Sequence, residues 1–308
     1  MSFPADPAPL LSFIVATLDR TSELQSFLRS LQSSQLSDVE LIIVDQNDDD
    51  RLVDLLASIQ LPLPVQHLRM NRKSASSARN FGASVAVGEW IGFPDDDCAL
   101  TPVTLERLRH HLQTTACDVL SGRTIDREGK ASVLRWPDQA CEIDRRSLRN
   151  AFAESTLYIR RSLFDQIGGF DAFFGPGGVY GAEEAVDLIR RLWAAVPDVR
   201  AAYVPDVCFI HADASPYSDE VALQKTYRYA RARGACFARH WRSSYLPRAV
   251  WETGKHLAGS VLLRGKRRRS RILSLKGYAV GFIGYRRNEA RWLNTEAHQW
   301  IVKSDVAG

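Results

Sequence analysis

EWIGFPDDD, residues 89 to 97, is an apolar run of strand length that ends in three consecutive carboxylates. Its Trp, Ile and Phe suit a pleated, half-buried surface, and the run is too short to be a helix of its own. Just upstream, the apolar spacing of SASSARNFGASVAV (74 to 87) predicts a helix, and LPVQHLRM (63 to 70) reads as a strand. Further out the alternation repeats. SFIVAT (12 to 17) and VELIIVD (39 to 45) are strands, while TSELQSFLRSLQSS (21 to 34) and RLVDLLASIQ (51 to 60) are helices, the first opening on a Thr or Ser cap. Strands alternating with helices predict an α/β fold with a mostly parallel, doubly wound sheet. Ligands bind such sheets beyond the carboxyl ends of the strands, which singles out Thr17, Asp45 and Asp95 to Asp97.

After residue 100 the pattern loosens. A helix is expected over 101 to 114, strands over 117 to 125 and 156 to 160, and a helix over 161 to 170 stopped by two glycines. FFGPGGVYG (173 to 181) must be a loop, and it leads into the helix EEAVDLIRRLWAAV (183 to 196). From about 218 the chain reads as helical and increasingly basic, so a domain over 1 to 215 is expected, followed by a basic, mostly helical extension over 216 to 308.

With 45% apolar residues in 308, the chain can bury a large core and is not of the disordered class. MSFPADPAPLL carries no basic n-region or long apolar h-region, so a cytoplasmic location is expected. Five cysteines without a CxxC pair favour neither a disulfide framework nor a zinc cluster, and reduced, mostly buried thiols are expected. Residues 241 to 287 hold twelve Lys/Arg against one Glu, a net +11, which leaves −7 for the rest of a chain whose overall charge is +4. Such a segment suits an anionic partner, and a phospholipid surface or a phosphate-bearing substrate is the expectation.

Three adjacent aspartates repel one another unless something positive sits among them. A divalent metal supplies that charge. Hard oxygen donors at this spacing suit Mg²⁺ or Mn²⁺, while a solvated acidic turn or a helix start at Thr101-Pro102 is the plainer alternative.

FIVATLDR (13 to 20), ELIIVDQNDDD (40 to 50), SASSARNFGASVAVGEWIGFPDDD (74 to 97) and LYIRRSLFDQIGGFDAFFGPGGVYGAEEAVDLIRRL (157 to 192) occur in an order and spacing that resemble the inverting glycosyltransferases of family 2, in a bacterial polysaccharide-type member. The resemblance implies a GT-A fold, a Rossmann-like, mostly parallel sheet sandwiched by helices. It also implies an Asp-x-Asp metal motif at Asp95 and Asp97, with Asp96 beside the nucleotide, and a metal that bridges the diphosphate of a nucleotide sugar. Thr17 and Asp45 would contact the nucleotide and its base, and Arg79 the nucleotide or its phosphates. Pro94 departs from the apolar residue usual before the motif.

The family's catalytic base comes from an acidic pair at a helix start after a glycine-rich loop. In GAEEAVDL (181 to 188) one register places Ala185 where the base is usual, and the other makes Glu183 and Glu184 the pair. Both keep Glu184, which is taken as the base with Glu183 next and Asp187 in support. The plainer reading of these acids is compensation of the helix dipole. His211 resembles a histidine that approaches the metal or phosphates in relatives. Trp136, Phe170, Phe173, Phe174 and Tyr180 could stack on acceptor sugars, although core packing suits most of them better.

The expected function is therefore metal-assisted, inverting transfer of a sugar from a nucleotide diphosphate sugar to a saccharide or lipid-linked saccharide acceptor, in cell-surface or exopolysaccharide synthesis. A sugar-nucleotide-binding or assembly protein without turnover is the alternative, given Ala185. Residues 264 to 287, which place Arg264, Lys266, Arg267, Arg268, Arg269 and Arg271 beside GYAVGFIGY, are expected to meet an anionic membrane surface. No nucleic-acid partner is expected. The location would be peripheral, on the inner face of the cell membrane.

Overall fold

A computed structural model describes residues 8–32, 38–211, 219–241 and 246–293, with side chains up to residue 287. The first seven residues, the end of the first expected helix at Ser33 and Ser34, and the expected boundary at 215 to 216 lie outside these.

The chain divides into two compact units. One comprises Met1–Lys73, Ser77–Gly169 and Arg191–Asp213, and the other Ser74–Ser76, Phe170–Arg190 and Ala214–Gly308. Among the described residues the first is built on one nine-stranded sheet. β1 (Leu11–Thr17), β2 (Val39–Asp45), β3 (Val65–Arg69) and β4 (Trp90–Gly92) pair in parallel in the order β3-β2-β1-β4. Helices α1 (Thr21–Gln32), α2 (Arg51–Ser58) and α3 (Ala75–Val85) make the crossovers that parallel pairing requires. Beyond β4 come β8 (Leu157–Arg160), which leads into the short helix α5 (Arg161–Gln166), then β6 (Val119–Ile125), β9 (Ala201–His211) and β5 (Cys98–Leu100), with β7 (Cys141–Glu142) pairing β9. Here β8 runs antiparallel to β4 and β6, and β5 runs antiparallel to β9.

The period of two along each strand assigns its side chains to opposite faces. On one face Phe13, Val15, Leu41 and Ile43 join the core formed by Leu24, Phe27 and Leu28 of α1, Leu52 of α2, and Leu105 and Leu108 of α4 (Thr104–Thr114). On the other face α3 approaches so closely at Gly82 that a Cβ there would collide with Ile14 and press on Val44. An alanine at that point would push the helix off the sheet.

The acidic end of EWIGFPDDD is not strand. β4 stops at Gly92, and Asp95 to Asp97 form a turn closed by the Cys98 N–H donating to the Asp95 carbonyl at 3.1 Å. Pro94 has no N–H to offer a ladder, which ends pairing before the acids. Cys98, Cys117, Cys208 and Cys236 are buried free thiols, and Cys141 is exposed. Trp136 is a core residue that stacks on Tyr203 at 5.9 Å and donates its indole N–H to the Ser132 carbonyl, and Phe170, Phe174 and Tyr180 are likewise buried.

The second unit holds the loop after Gly169, the start of α6 (Glu184–Ala195), and helices α7 (Asp219–Arg239), α8 (Leu246–Leu262) and α9 (Gly265–Leu293). Two glycines of GYAVGFIGY serve the packing of α9 on α7. A Cβ at Gly277 would meet the Ala230 Cβ at 2.7 Å, and one at Gly281 would strike the Arg231 carbonyl. Among the described residues no helix is long and apolar enough to cross a membrane.

Candidate functional site

Three aspartates in one turn would repel, and the first unit answers with two arginines. Arg79 of α3 donates to Asp95 at 2.9 Å, and Arg20, just past the end of β1, donates to both Asp96 and Asp97 at 2.7 Å. Asp96 is the buried member of the three, and burial pushes its carboxyl up to about 6 against the pull of Arg20. Asp95 and Asp97 stay partly exposed.

The antiparallel pairing of β5 with β9 sets His211 directly opposite Cys98. That register carries the imidazole to the acidic turn, where its Nε2 lies 3.5 Å from Asp97 Oδ1. Among the described residues Asp97 Oδ1 is buried and accepts no hydrogen bond. A buried carboxylate oxygen without a donor is costly unless a cation supplies what the protein does not. One ligand atom each from Asp95, Asp97, Cys98 and His211 lies within 4.8 Å of the others. Two carboxylates and an imidazole fit a small divalent cation such as Mn²⁺ or Mg²⁺. Burial holds the Cys98 thiol well above its ordinary range, so it stays protonated and is a poor ligand for a hard ion.

Thr17 and Asp45 are register partners at the ends of β1 and β2, and both are buried. Asp45 Oδ1 accepts the Asn47 backbone and side-chain N–H groups at 2.9 and 2.7 Å, and Oδ2 pairs with His67 Nε2 at 3.1 Å. A carboxylate has about four acceptor positions, so one is left after these three. Asp45 thus builds the turn after β2 while keeping acceptor capacity beyond the sheet.

In the second unit α6 begins at Glu184, one residue later than the sequence pattern suggests, because Glu183 adopts a left-handed φ of 76°. Such a conformation costs a non-glycine residue on the order of 1 kcal/mol or more and persists only where surroundings hold it. Arg233 of α7 supplies that hold, its Nε lying 3.2 Å from Glu183 Oε1. Glu184 is buried in the first turn of α6. Asp187 is fully buried, with Arg239 Nε and His240 Nε2 each 2.9 Å from its Oδ1. Burial holds His240 below the ordinary histidine range despite this carboxylate, so a neutral ring donates its Nε2–H. Arg239 also pairs with Asp171.

Asp95, Asp97 and His211 therefore converge in the first unit, joined by Arg79, while Glu183, Glu184 and Asp187 share the second. Sequence reading missed Arg20, His67, Cys98, Arg233, Arg239 and His240. Arg20 and Cys98 sit next to motif residues and could have been weighed; the others come from segments whose spacing carries no sign of the contact.

Comparison with known proteins fits this architecture. A glycosyltransferase of PGL/p-HBAD biosynthesis from Mycobacterium bovis is 28% identical over 169 residues, 53% of this chain and 64% of that protein. The chain thus spans somewhat under two thirds of that relative's length. A GalNAc(5)-diNAcBac-PP-undecaprenol beta-1,3-glucosyltransferase from Campylobacter jejuni is 29% identical over 127 residues, 40% of this chain and 41% of the other. In three dimensions the chain resembles the mannosyltransferase PcManGT from Pyrobaculum calidifontis, solved with GDP-Man and Mn²⁺, with a TM-score of 0.60 at 18% identity over 96% of this chain and 84% of that one. That likeness establishes the shared GT-A fold. Residues 12–174, more than half of the chain, match the family described as glycosyl transferase family 2, and the chain belongs to that family.

Proposed function

We propose that this protein transfers one sugar, with inversion, from a nucleotide diphosphate sugar to a saccharide or lipid-linked saccharide acceptor in cell-surface or exopolysaccharide synthesis. The observation that carries the reading is the meeting of Asp95, Asp97 and His211 around a buried carboxylate oxygen that has no donor among the described residues. These three residues would hold Mg²⁺ or Mn²⁺. Such an ion, when bound, supplies positive charge against the diphosphate leaving group. Arg79 and Arg20 keep the acidic turn folded, and Arg79 stands ready to contact phosphate oxygens. Thr17, Asp45 and Asp96 contribute to nucleotide binding at the strand ends.

In the chemical step a bond forms between the acceptor oxygen and the anomeric carbon as the bond from that carbon to the phosphate oxygen breaks. The acceptor proton passes to the Glu184 carboxylate, and the nucleoside diphosphate departs with the bonding pair. Glu183 is the second candidate for that proton, and Asp187, already held by Arg239 and His240, supports the helix that presents them. The Campylobacter relative is named for a lipid diphosphate acceptor, which motivates the lipid-linked class and a peripheral position on the inner face of the cell membrane, reached through residues 264 to 287.

The test is transfer from a panel of UDP- and GDP-sugars with Mn²⁺, for the natural chain and for Glu184→Gln. Loss of transfer in the variant with donor binding retained supports the assignment. Metal-dependent donor binding with no transfer by the natural chain would favour the alternative of a binding or assembly protein, which Ala185 in the usual base position motivates.

A further inference from the structure

α8 is built inside out. Its one buried residue is Glu252, 3% exposed, whereas Trp251, Val261 and Leu262 are 70%, 75% and 79% exposed. A helix on a water-facing surface does the reverse, turning its apolar stripe to the core and its charges to solvent. The inner row is Arg248, Glu252, His256 and Gly259, a spacing of three or four that defines one face. Glu252 is held there by Arg233 at 3.3 Å, Arg248 at 2.8 Å and the Tyr278 hydroxyl at 3.3 Å, and Gly259 packs on the Arg271 side chain. The outer row, Leu246, Val250, Leu257 and Val261, keeps the same period on the opposite face, flanked by Trp251 and Leu262.

α9 adds exposed apolar side chains of its own, Ile272, Val280, Phe282 and Ile283. Between α7, α8 and α9 lies an open apolar groove of about 630 Å³, lined by Phe237, Trp241, Leu246, Val250, Phe282 and Ile283 among others. The volume lies within the range of about 300–1,000 Å³ usual for small-molecule sites. Where α8 ends, Arg264, Lys266, Arg267, Arg268 and Arg269 are all exposed, and Arg264 and Arg267 make no ion pair among the described residues. An apolar row beside a row of cations is complementary to one surface, the acyl layer of a bilayer beneath anionic headgroups.

We infer that α8 is an interfacial helix: its outer row inserts into an anionic phospholipid bilayer, Arg264 to Arg269 meet the headgroups, and the groove receives a lipid hydrocarbon chain. This deepens, and rests on, the membrane contact proposed for residues 264 to 287, adding insertion of a helix outside that segment.

The experiment is sedimentation of the full chain with phosphatidylglycerol vesicles and with phosphatidylcholine vesicles, together with tryptophan quenching by brominated lipids. Three proteins are compared: the natural chain, Leu257→Ser/Val261→Ser/Leu262→Ser, and Arg264→Gln/Arg267→Gln/Arg268→Gln. The natural chain binds the anionic vesicles, and the serine variant loses at least tenfold in affinity with its melting temperature unchanged, since the three side chains are exposed. Quenching falls in Trp251→Phe. Loss of binding in the glutamine variant alone overturns insertion but leaves the electrostatic contact standing, and no binding by the natural chain overturns both. If the serine substitutions instead convert a dimer to a monomer, the face is a contact between copies and the inference fails.

Discussion

Asp97 and Asp187 are both aspartates beside an arginine and a histidine, but the two carboxylates are treated differently. Asp187 is fully buried and receives Arg239 and His240 on one oxygen at 2.9 Å each. Asp97 is a quarter exposed, meets Arg20 through one oxygen, and keeps the other 3.5 Å from His211 without a hydrogen bond among the described residues. A fully buried carboxylate gripped by an arginine and a histidine serves the fold. One with an unmatched oxygen has something left for a ligand. The same residue types in two turns thus divide into a folding anchor and a candidate binding group, and the ion pairs alone would not tell them apart.

Asp97→Ala tests the binding group directly. Sugar transfer should fall by roughly 10³-fold, as expected for removing one preorganised charge group at a reacting centre, with little change in unfolding free energy. Single-turnover assays alongside urea unfolding check both halves, and a large stability loss would make Asp97 an anchor like Asp187. The mirror experiment is Asp187→Ala. It strands Arg239 and His240 around a removed partner and should cost roughly 3 kcal/mol or more in urea unfolding, the scale for breaking a buried pair. A variant of unchanged stability would contradict the anchoring role.

Glu184→Gln sharpens the second turn. Turnover should drop by at least about 10²-fold while donor KM stays near its natural value, because a general base acts only in the chemical step. Equal loss in Glu183→Gln with Glu184→Gln active would move the base one residue back.

The smallest effect is on pH dependence. Burial, with Arg271, Lys255 and Arg233 nearby, holds His256 at about 4, below its ordinary 6.5, so between those values the unfolded chain binds the extra proton. Stability should therefore fall as pH drops from about 6.5 towards 4 and be fully present above that window. His240 is depressed as well and acts in the same direction. Thermal unfolding from pH 7 to 4 should show a shallower acid-side loss for His256→Gln than for the natural chain.

Much of the first unit was legible because its cues are local. A run such as VELIIVD is buried at every position in β2, and the period of two along FIVAT assigns its side chains to the two faces of the sheet. The strand read through 97 nevertheless stops at Gly92, since Pro94 cannot join the ladder. In the antiparallel half the strands expected over 117 to 125 and 156 to 160 are found as β6 and β8, but their pairing was not legible: nothing in VCFIH says that it pairs with Cys98–Leu100, yet that pairing carries His211 to the acids.

The amino-acid order by itself determined the alternating α/β pattern, the family, and an acidic turn at the carboxyl end of a strand. Each depends on near-neighbour spacing, which a helix or strand converts directly into a face. Tertiary structure alone decided which aspartate is buried against its donors and which keeps an unmatched oxygen, because donors such as Arg20, Arg239 and His240 arrive from dozens of residues away. It also decided that α8 turns Glu252 inward and Trp251 outward. Composition marks that segment only as basic and apolar, and orientation about a helix axis is set by what the helix packs against.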